Sequence, residues 1–327
     1  MVKHPERIPL AIDPSYAVLG HRRIGLEAMR SPLLFGHRGA RGLFPENTLE
    51  GFAAAQALGI DGVELDVAIT ADGVPVVTHD PALNPDLVRT ADGTWITRRG
   101  PLMRELTVAE LAGYDVGRAR PGGVVAIANP DQVPSDGARI PTLAQSLAEL
   151  RSGVIVELKT MPDHPDWTVA ATAMADVAVS VIDRATVTGR VIVESFDWRG
   201  PRHLRRTRRD IRLAWLTEAK TVAEAQLWWD GPTPQDFGGS VPRAVAAEAG
   251  SGGIWAPDHA DLTPDLIAEA HDLGVTVIPW TVNRPQDMAR LIAWGIDGLI
   301  TDRPDLARQV MATAGLALPP VPPHPGR

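Results

Sequence analysis

Gly62-Val-Glu-Leu-Asp-Val-Ala-Ile-Thr-Ala-Asp-Gly-Val-Pro-Val-Val-Thr-His-Asp80 is the stretch from which the fold can be read. Val63, Leu65 and Val67 alternate with Glu64 and Asp66, so a strand over Gly62–Ile69 puts both carboxylates on one face and the aliphatics on the other. Asp72-Gly73 is the preferred chemistry of a tight antiparallel hairpin, so residues 74–79 fold back on that strand instead of following a crossover helix. Outward from this hairpin, further short β-rich runs fall at Leu33–Gly36, 154–158, 190–196, 211–216, 253–256, 275–282 and Gly298–Thr301, with helical patterns between them. With the hairpin arm set aside, eight parallel candidates remain, which is the arithmetic of a (β/α)8 TIM barrel. A doubly wound open sheet competes, but no Gly-x-Gly-x-x-Gly follows the first strand. Asn47 with Glu50 three residues on predicts a capped helix over 48–58, ended by Gly59.

The stretch 80–153 breaks the alternation. It is rich in Pro, Gly, Asp and Arg, with short helical patches such as Val108–Leu111. A structureless loop of that length is uncommon, so an inserted cover subdomain over the barrel mouth is expected at about 80–150. The expected organisation is therefore an N-terminal arm at 1–30, a barrel at 31–316 and a Pro-rich tail at 317–327.

Composition narrows the function classes. The 327 residues carry 40 acidic and 32 basic side chains, a formal charge of -8, 44% hydrophobic residues and no cysteine. The acidic balance argues against nucleic-acid binding as the main task. Absence of Cys removes disulfide scaffolds, thiolate metal sites and Cys nucleophiles. No run approaches the ~20 apolar residues of a membrane span. Residues 1–30 mix charges with prolines and hold no apolar run followed by a small-residue cleavage site, so a cytoplasmic location is expected. No heptad pattern demands assembly, which leaves a monomer or small homo-oligomer.

Strand ends are where a barrel places chemistry. Glu64 and Asp66 share one strand face, and the same parity puts Glu157 and Lys159 together. Converging carboxylates repel unless a cation lies between them, and an all-oxygen donor set suits Mg2+ or Ca2+. His37 ends a strand in a Gly-His-Arg-Gly turn, and His79 closes the hairpin beside the carboxylates. Both suit general acid–base work near neutrality, and Arg38 and Lys159 supply positive charge for a phosphoryl group. His4, His21, His164, His203, His259, His271 and His324 read as ordinary packed or surface residues. Together, a hard metal, two imidazoles and two cations point to phosphoryl transfer or hydrolysis.

His37-Arg38-Gly39, Pro45-Glu46-Asn47-Thr48, Glu64-Leu65-Asp66-Val67, Asp72-Gly73 followed by Val76-Val77-Thr78-His79-Asp80, and Glu157-Leu158-Lys159 resemble, in order and spacing, the glycerophosphodiester phosphodiesterases. Val193-Glu194-Ser195-Phe196, Trp280-Thr281-Val282-Asn283 and Asp297-Gly298-Leu299-Ile300-Thr301-Asp302-Arg303-Pro304 resemble that family's later blocks. The likeness covers 33–304. It implies a barrel in which Glu64, Asp66 and Glu157 hold one divalent cation (Mg2+ or Ca2+, with Mn2+ as a further option) and His37 and His79 form the acid–base pair. It also implies that Arg38 and Lys159 bind phosphate, that Trp280 lines the pocket, and that Glu194 is a further polar wall. Glu46 would orient Arg38 or the helix cap. The segment 106–142 looks like the cover insertion of a longer subgroup.

The activity so implied is metal-dependent hydrolysis of a small glycerophosphodiester to sn-glycerol 3-phosphate and an alcohol, a step in lipid and glycerol metabolism. The nucleophile would be the glycerol 2-hydroxyl, through a cyclic phosphate, or water. The alternatives are a lysophospholipase D-type phosphodiesterase and a catalytically silent barrel that binds such ligands. Two clusters stand outside this reading. Arg199, Arg202, Arg205, Arg206, Arg208, Arg209 and Arg212 read as the exposed face of a basic helix. Trp228-Trp229 suits equally an aromatic wall for substrate and simple loop packing.

Overall fold

The structure, a computed structural model, describes residues 31–250 and 252–321. The expected N-terminal arm and the end of the Pro-rich tail lie outside the described residues. The strands are β1 (Leu33–Gly36), β2 (Gly62–Ile69), β3 (Pro75–Val77), β4 (Arg89–Thr90), β5 (Tyr114–Asp115), β6 (Gly153–Leu158), β7 (Val191–Ser195), β8 (Arg212–Thr217), β9 (Ile254–Pro257), β10 (Thr276–Val277) and β11 (Gly298–Thr301).

Eight of these run parallel in the order β10-β9-β8-β7-β6-β2-β1-β11. The seam between the two end strands is spanned by backbone bonds. Asp297 N donates to Val277 O at 3.0 Å, Ile300 N to Pro279 O at 2.9 Å and Val282 N to Ile300 O at 2.9 Å. The result is a nearly closed (β/α)8 barrel. Parity works as the sequence predicts: Val63, Leu65 and Val67 are fully buried in the layer between strands and helices, together with Val156 and Leu158. The barrel interior below the mouth is filled by Phe35, Ile155, Ile192, Leu216, Ile278 and Ile300. Burying this apolar surface on both faces of the sheet is the main stabilising term.

The hairpin forms as read: β3 pairs antiparallel with β2, and Gly73 takes φ 76 at the turn. Three local expectations need correction. The seventh barrel strand, expected over 275–282, is only Thr276–Val277, because Pro279 has no N–H to donate to a ladder. The hairpin arm is likewise Pro75–Val77 rather than 74–79. The first helix is Leu49–Ala57, and its cap is Thr48, whose Oγ1 accepts from Gly51 N at 3.0 Å. Asn47 instead adopts φ 53 and spends its amide elsewhere.

The segment between β3 and β6 has its own small core, in which Leu83, Val88, Met103, Leu106 and Leu111 pack on Ala68 and Val76 of the hairpin. It is tied to the loop after β1 by Val133 N to Leu43 O at 2.7 Å and Gln132 Nε2 to Arg41 O at 2.8 Å. Arg303 adds an ion pair to Asp131 at 2.8 Å. The insertion thus walls the mouth on the β1–β2–β11 side. At the opposite end of the barrel, Arg308 Nη1 donates to Gly59 O and Pro319 O, which holds the start of the tail against the first helix. No helix among the described residues is long and apolar enough to cross a membrane.

Candidate active site

β1 delivers its last residue into a tight turn. His37 N donates to Thr301 O at 2.8 Å, after which Arg38 takes φ 51 and Gly39 φ 96. The turn closes so tightly that a Cβ on Gly36 would lie 1.8 Å from Gly39 O, so a side chain there is excluded. Arg38 N is thereby aimed at Glu64 Oε2, 3.0 Å away.

Strand register assembles the carboxylates. Asp66 lies opposite Glu157 across β2 and β6, and Glu157 lies opposite Glu194 across β6 and β7. Glu64, Asp66 and Glu157 are buried and bring one oxygen each within 4.8 Å of one another. Like charges this close in a desolvated site repel strongly. Burial, reinforced by Asp66, Glu157 and Glu194, pushes the Glu64 carboxyl well above its usual range. Burial likewise raises Glu157 to about 7, against the pull of Lys159. Burial and the charges of Glu157 and Asp66 push Glu194 well up as well. Asp66 goes the other way. Although burial works to raise it, Arg38 at 3.3 Å and Lys159 at 3.4 Å hold it below the ordinary carboxylate range.

Glu64 Oε1 and Asp66 Oδ1 are buried and accept no hydrogen bond, although Asp66 Oδ1 has the Lys159 ammonium 3.4 Å away. Such orphaned acceptors are costly unless something binds them. Three convergent carboxylates with unused oxygens and no sulfur or nitrogen in the set fit one hard divalent cation. The remaining oxygens are taken from outside: Asn47 Nδ2 donates to Asp66 Oδ2 at 2.9 Å, and Lys159 Nζ to Glu157 Oε1 at 2.7 Å. Arg38 Nη1 donates to Glu46 Oε1 at 2.8 Å, so Glu46 orients Arg38 as expected.

The two histidines stand beside this triad, each with an aspartate behind it. His37 Nδ1 lies 2.6 Å from Asp302 Oδ1, and its Nε2 lies 3.8 Å from Glu64 Oε2. A carboxylate can only accept here, so Nδ1 carries the proton and Nε2 presents its lone pair to the cavity. Asp302 is itself fixed by Asn283 Nδ2 at 2.7 Å and stays at about 2, because the His37 and Arg41 side of its surroundings outweighs its burial. His79 Nδ1 lies 2.8 Å from Asp80 Oδ1. Burial and the nearby charges of Lys159 and Arg38 lower His79 to about 4, and burial lowers His37 too. Both shifts favour the neutral imidazole, the form that can take a proton.

These groups open into one cavity of about 340 Å3 that also includes Lys159, Glu194, Phe196 and Trp280. Of the nine site residues expected from the sequence, His37, His79, Glu64, Glu157, Arg38, Lys159, Trp280 and Glu194 border this cavity, and the ninth, Asp66, is fully buried beside Glu64 and Glu157. Phe196 and Trp280 meet edge to face at 5.3 Å and form its apolar side. Trp228 backs Phe196 at 6.5 Å, and Trp229 is fully buried in a parallel stack 3.8 Å from Trp198. Of the two readings of Trp228-Trp229, loop packing is the one the structure adopts. Sequence reasoning assigned no role to Arg41, Phe196, Asn283 or Asp302. Phe196 and Asp302 directly follow β7 and β11 as His37 follows β1, whereas Arg41 and Asn283 lie further along the loops after β1 and β10. The basic run is not one helix face, since the helix spans Arg199–Thr207 and Arg208, Arg209 and Arg212 lie beyond it; Arg199 pairs with Asp197, Arg202 with Glu248, and Arg208 with Asp183 and Asp210.

Comparison with known proteins matches residues 37–306 to the Glycerophosphoryl diester phosphodiesterase family. A glycerophosphodiester phosphodiesterase of Caldanaerobacter subterraneus subsp. tengcongensis is 28% identical over 294 residues, covering 86% of this chain and 99% of the relative. The enzyme of the same name from Bacillus subtilis is 27% identical over 282 residues, covering 85% and 86%. Among solved structures, a glycerophosphoryl diester phosphodiesterase family protein from Silicibacter pomeroyi DSS-3 superposes with a TM-score of 0.80 at 35% identity, covering 88% of this chain and 95% of that one. A phosphodiesterase from Oleispira antarctica, solved with the product sn-glycerol-3-phosphate, shares the fold with a TM-score of 0.64 at 21% identity, covering 86% and 97%.

Proposed function

The chain belongs to the glycerophosphoryl diester phosphodiesterase family, and from that premise we propose that it hydrolyses glycerophosphodiesters to sn-glycerol 3-phosphate and an alcohol. The observation that carries the reading is the pair of histidines, each backed by an aspartate, beside a buried carboxylate triad in one cavity. The product held by the Oleispira antarctica phosphodiesterase on the same fold is in keeping with it.

Glu64, Asp66 and Glu157 would hold the divalent cation, Mg2+ or Ca2+ by donor chemistry and Mn2+ as a further option. When bound, it supplies Lewis-acid neutralisation of the phosphate's developing negative charge. Arg38 and Lys159 hold the non-bridging oxygens from the protein side. One histidine Nε2 takes the proton of the nucleophile, either the glycerol 2-hydroxyl or a water. The other, protonated from solvent before the step, delivers that proton to the departing alkoxide, so the pair ends with the proton on the first ring, which returns it to solvent. Such acid–base assistance is worth ~10²- to 10⁴-fold. Phe196 and Trp280 exclude water from the far side and pack the carbon skeleton, while Glu194 faces the substrate's polar end. The barrel 31–316 with its insertion at about 80–150 is proposed as the working unit.

A second reading, a phosphodiester that retains one acyl chain, is favoured by one observation. Val124, Ile127 and Val133 on the insertion are 73%, 70% and 61% exposed, and Val133 N donates to Leu43 O in the loop that carries Arg41. Release of glycerol 3-phosphate from glycerophosphocholine and from a lysophospholipid, measured side by side, tests both. Turnover of the deacylated substrate supports the first, and turnover confined to the lysolipid supports the second. With neither, the protein is a binder, not an enzyme of this class.

A further inference from the structure

The two histidines are held differently. His37 has a side chain only 14% exposed, wedged between Asp302 and Glu64, whereas that of His79 is 32% exposed. A ring that touches solvent on one side depends more on hydrogen bonds for its orientation. Its partner Asp80 is also one-third exposed, and a lone carboxylate there would rotate freely. Asp80 Oδ2 accepts from Asn84 Nδ2 at 2.5 Å, which leaves Oδ1 for His79 Nδ1. Asn84 belongs to the insertion and is over-determined. Its Oδ1 accepts from Asp86 N at 2.8 Å, and its carbonyl accepts from Leu87 N and Val88 N. The chain His79–Asp80–Asn84 matches His37–Asp302–Asn283 on the other side of the triad, where Asn283 Nδ2 donates to Asp302 Oδ2 at 2.7 Å.

We propose that Asn84 is a positioning residue that acts through Asp80 to fix the ring and tautomer of His79, which makes the inserted segment a part of the catalytic centre and more than a cover. Locking Asp80 Oδ1 on Nδ1 keeps the proton there and points Nε2 into the cavity. The inference rests on the proposed phosphodiesterase reading for its kinetic arm, but its spectroscopic arm does not.

Asn84→Asp is the discriminating variant. It preserves the acceptor for Asp86 N and the side-chain shape, but replaces the donor by an oxygen facing Asp80. The expected result is a kcat about tenfold lower with KM, divalent-cation affinity and Tm unchanged, the size typical of losing such a supporting partner. In an Asp80→Ala background the same change should have no further effect, because its route to His79 is already cut. Nitrogen NMR of His79 at fixed pH should show Nδ1–H in the parent protein and a mixed tautomer in Asn84→Asp. An unaltered His79 spectrum overturns the proposal, as does a kcat within about twofold of the parent or an equal further loss in the Asp80→Ala background. If the parent protein turns over no glycerophosphodiester, the functional reading fails and the NMR comparison alone decides the positioning role.

Discussion

On one half of the barrel mouth, β1, β2, β6 and β7 and the turns after them carry His37, Glu64, Asp66, Glu157, Lys159 and Glu194; on the other, β8, β9 and the stretch after β10 carry Leu216, Ala256 and Trp280. The charged half holds its groups in unfavourable proximity and accepts desolvation costs that only a ligand offsets. On the apolar half Trp280 Nε1 donates to Ala256 O at 2.9 Å, which fixes the ring against the neighbouring strand. The reactive groups thus sit on the half that carries the unpaired buried carboxylate oxygens, and the aromatic wall sits on the other.

Changes on the charged half should act on the reaction itself. Glu64→Ala removes one of three triad oxygens, and both divalent-cation binding in calorimetry and turnover should fall to background. His37→Ala and His79→Ala should each lower kcat by about 10³ while cation binding survives, in line with the loss of one acid–base partner. A histidine variant that lost the cation as well would merge two functions that are separate in this account.

On the apolar half the effects should be smaller and of another kind. Trp280→Ala should raise KM about tenfold with kcat within a few-fold, since packing of the substrate is lost and the reacting groups are not. Trp229→Ala, one layer further out, should leave both constants alone and cost about 3–5 kcal/mol of stability in denaturant titration, because it empties a buried stack. A large kcat effect from Trp229→Ala would mean that the two halves are not separable.

The same division explains what was legible in the sequence. Glu64 and Asp66, and Glu157 and Lys159, declare their shared faces by the period of a strand, and Asp72-Gly73 declares the hairpin. Asp302 and Asn283 have no such local signature. Their role exists only because β11 closes the barrel beside β1, a contact between residues far apart in sequence. Trp228 and Trp229 stand adjacent in the sequence, yet one backs Phe196 while the other stacks on Trp198. Composition cannot separate those fates. Asn47 misled for a related reason: it has the chemistry of a cap, but Asp66 claims its amide and Thr48 caps the helix instead.

The most direct test of the account is a paired measurement on His79→Ala: cation binding by calorimetry to metal-stripped protein, and release of glycerol 3-phosphate from glycerophosphocholine after Mg2+, Ca2+ or Mn2+ is restored. The account predicts parent-like cation affinity with turnover reduced by about 10³. Turnover at the parent rate, or loss of cation binding along with it, would contradict a centre in which the carboxylate triad holds the metal and the histidines move the protons.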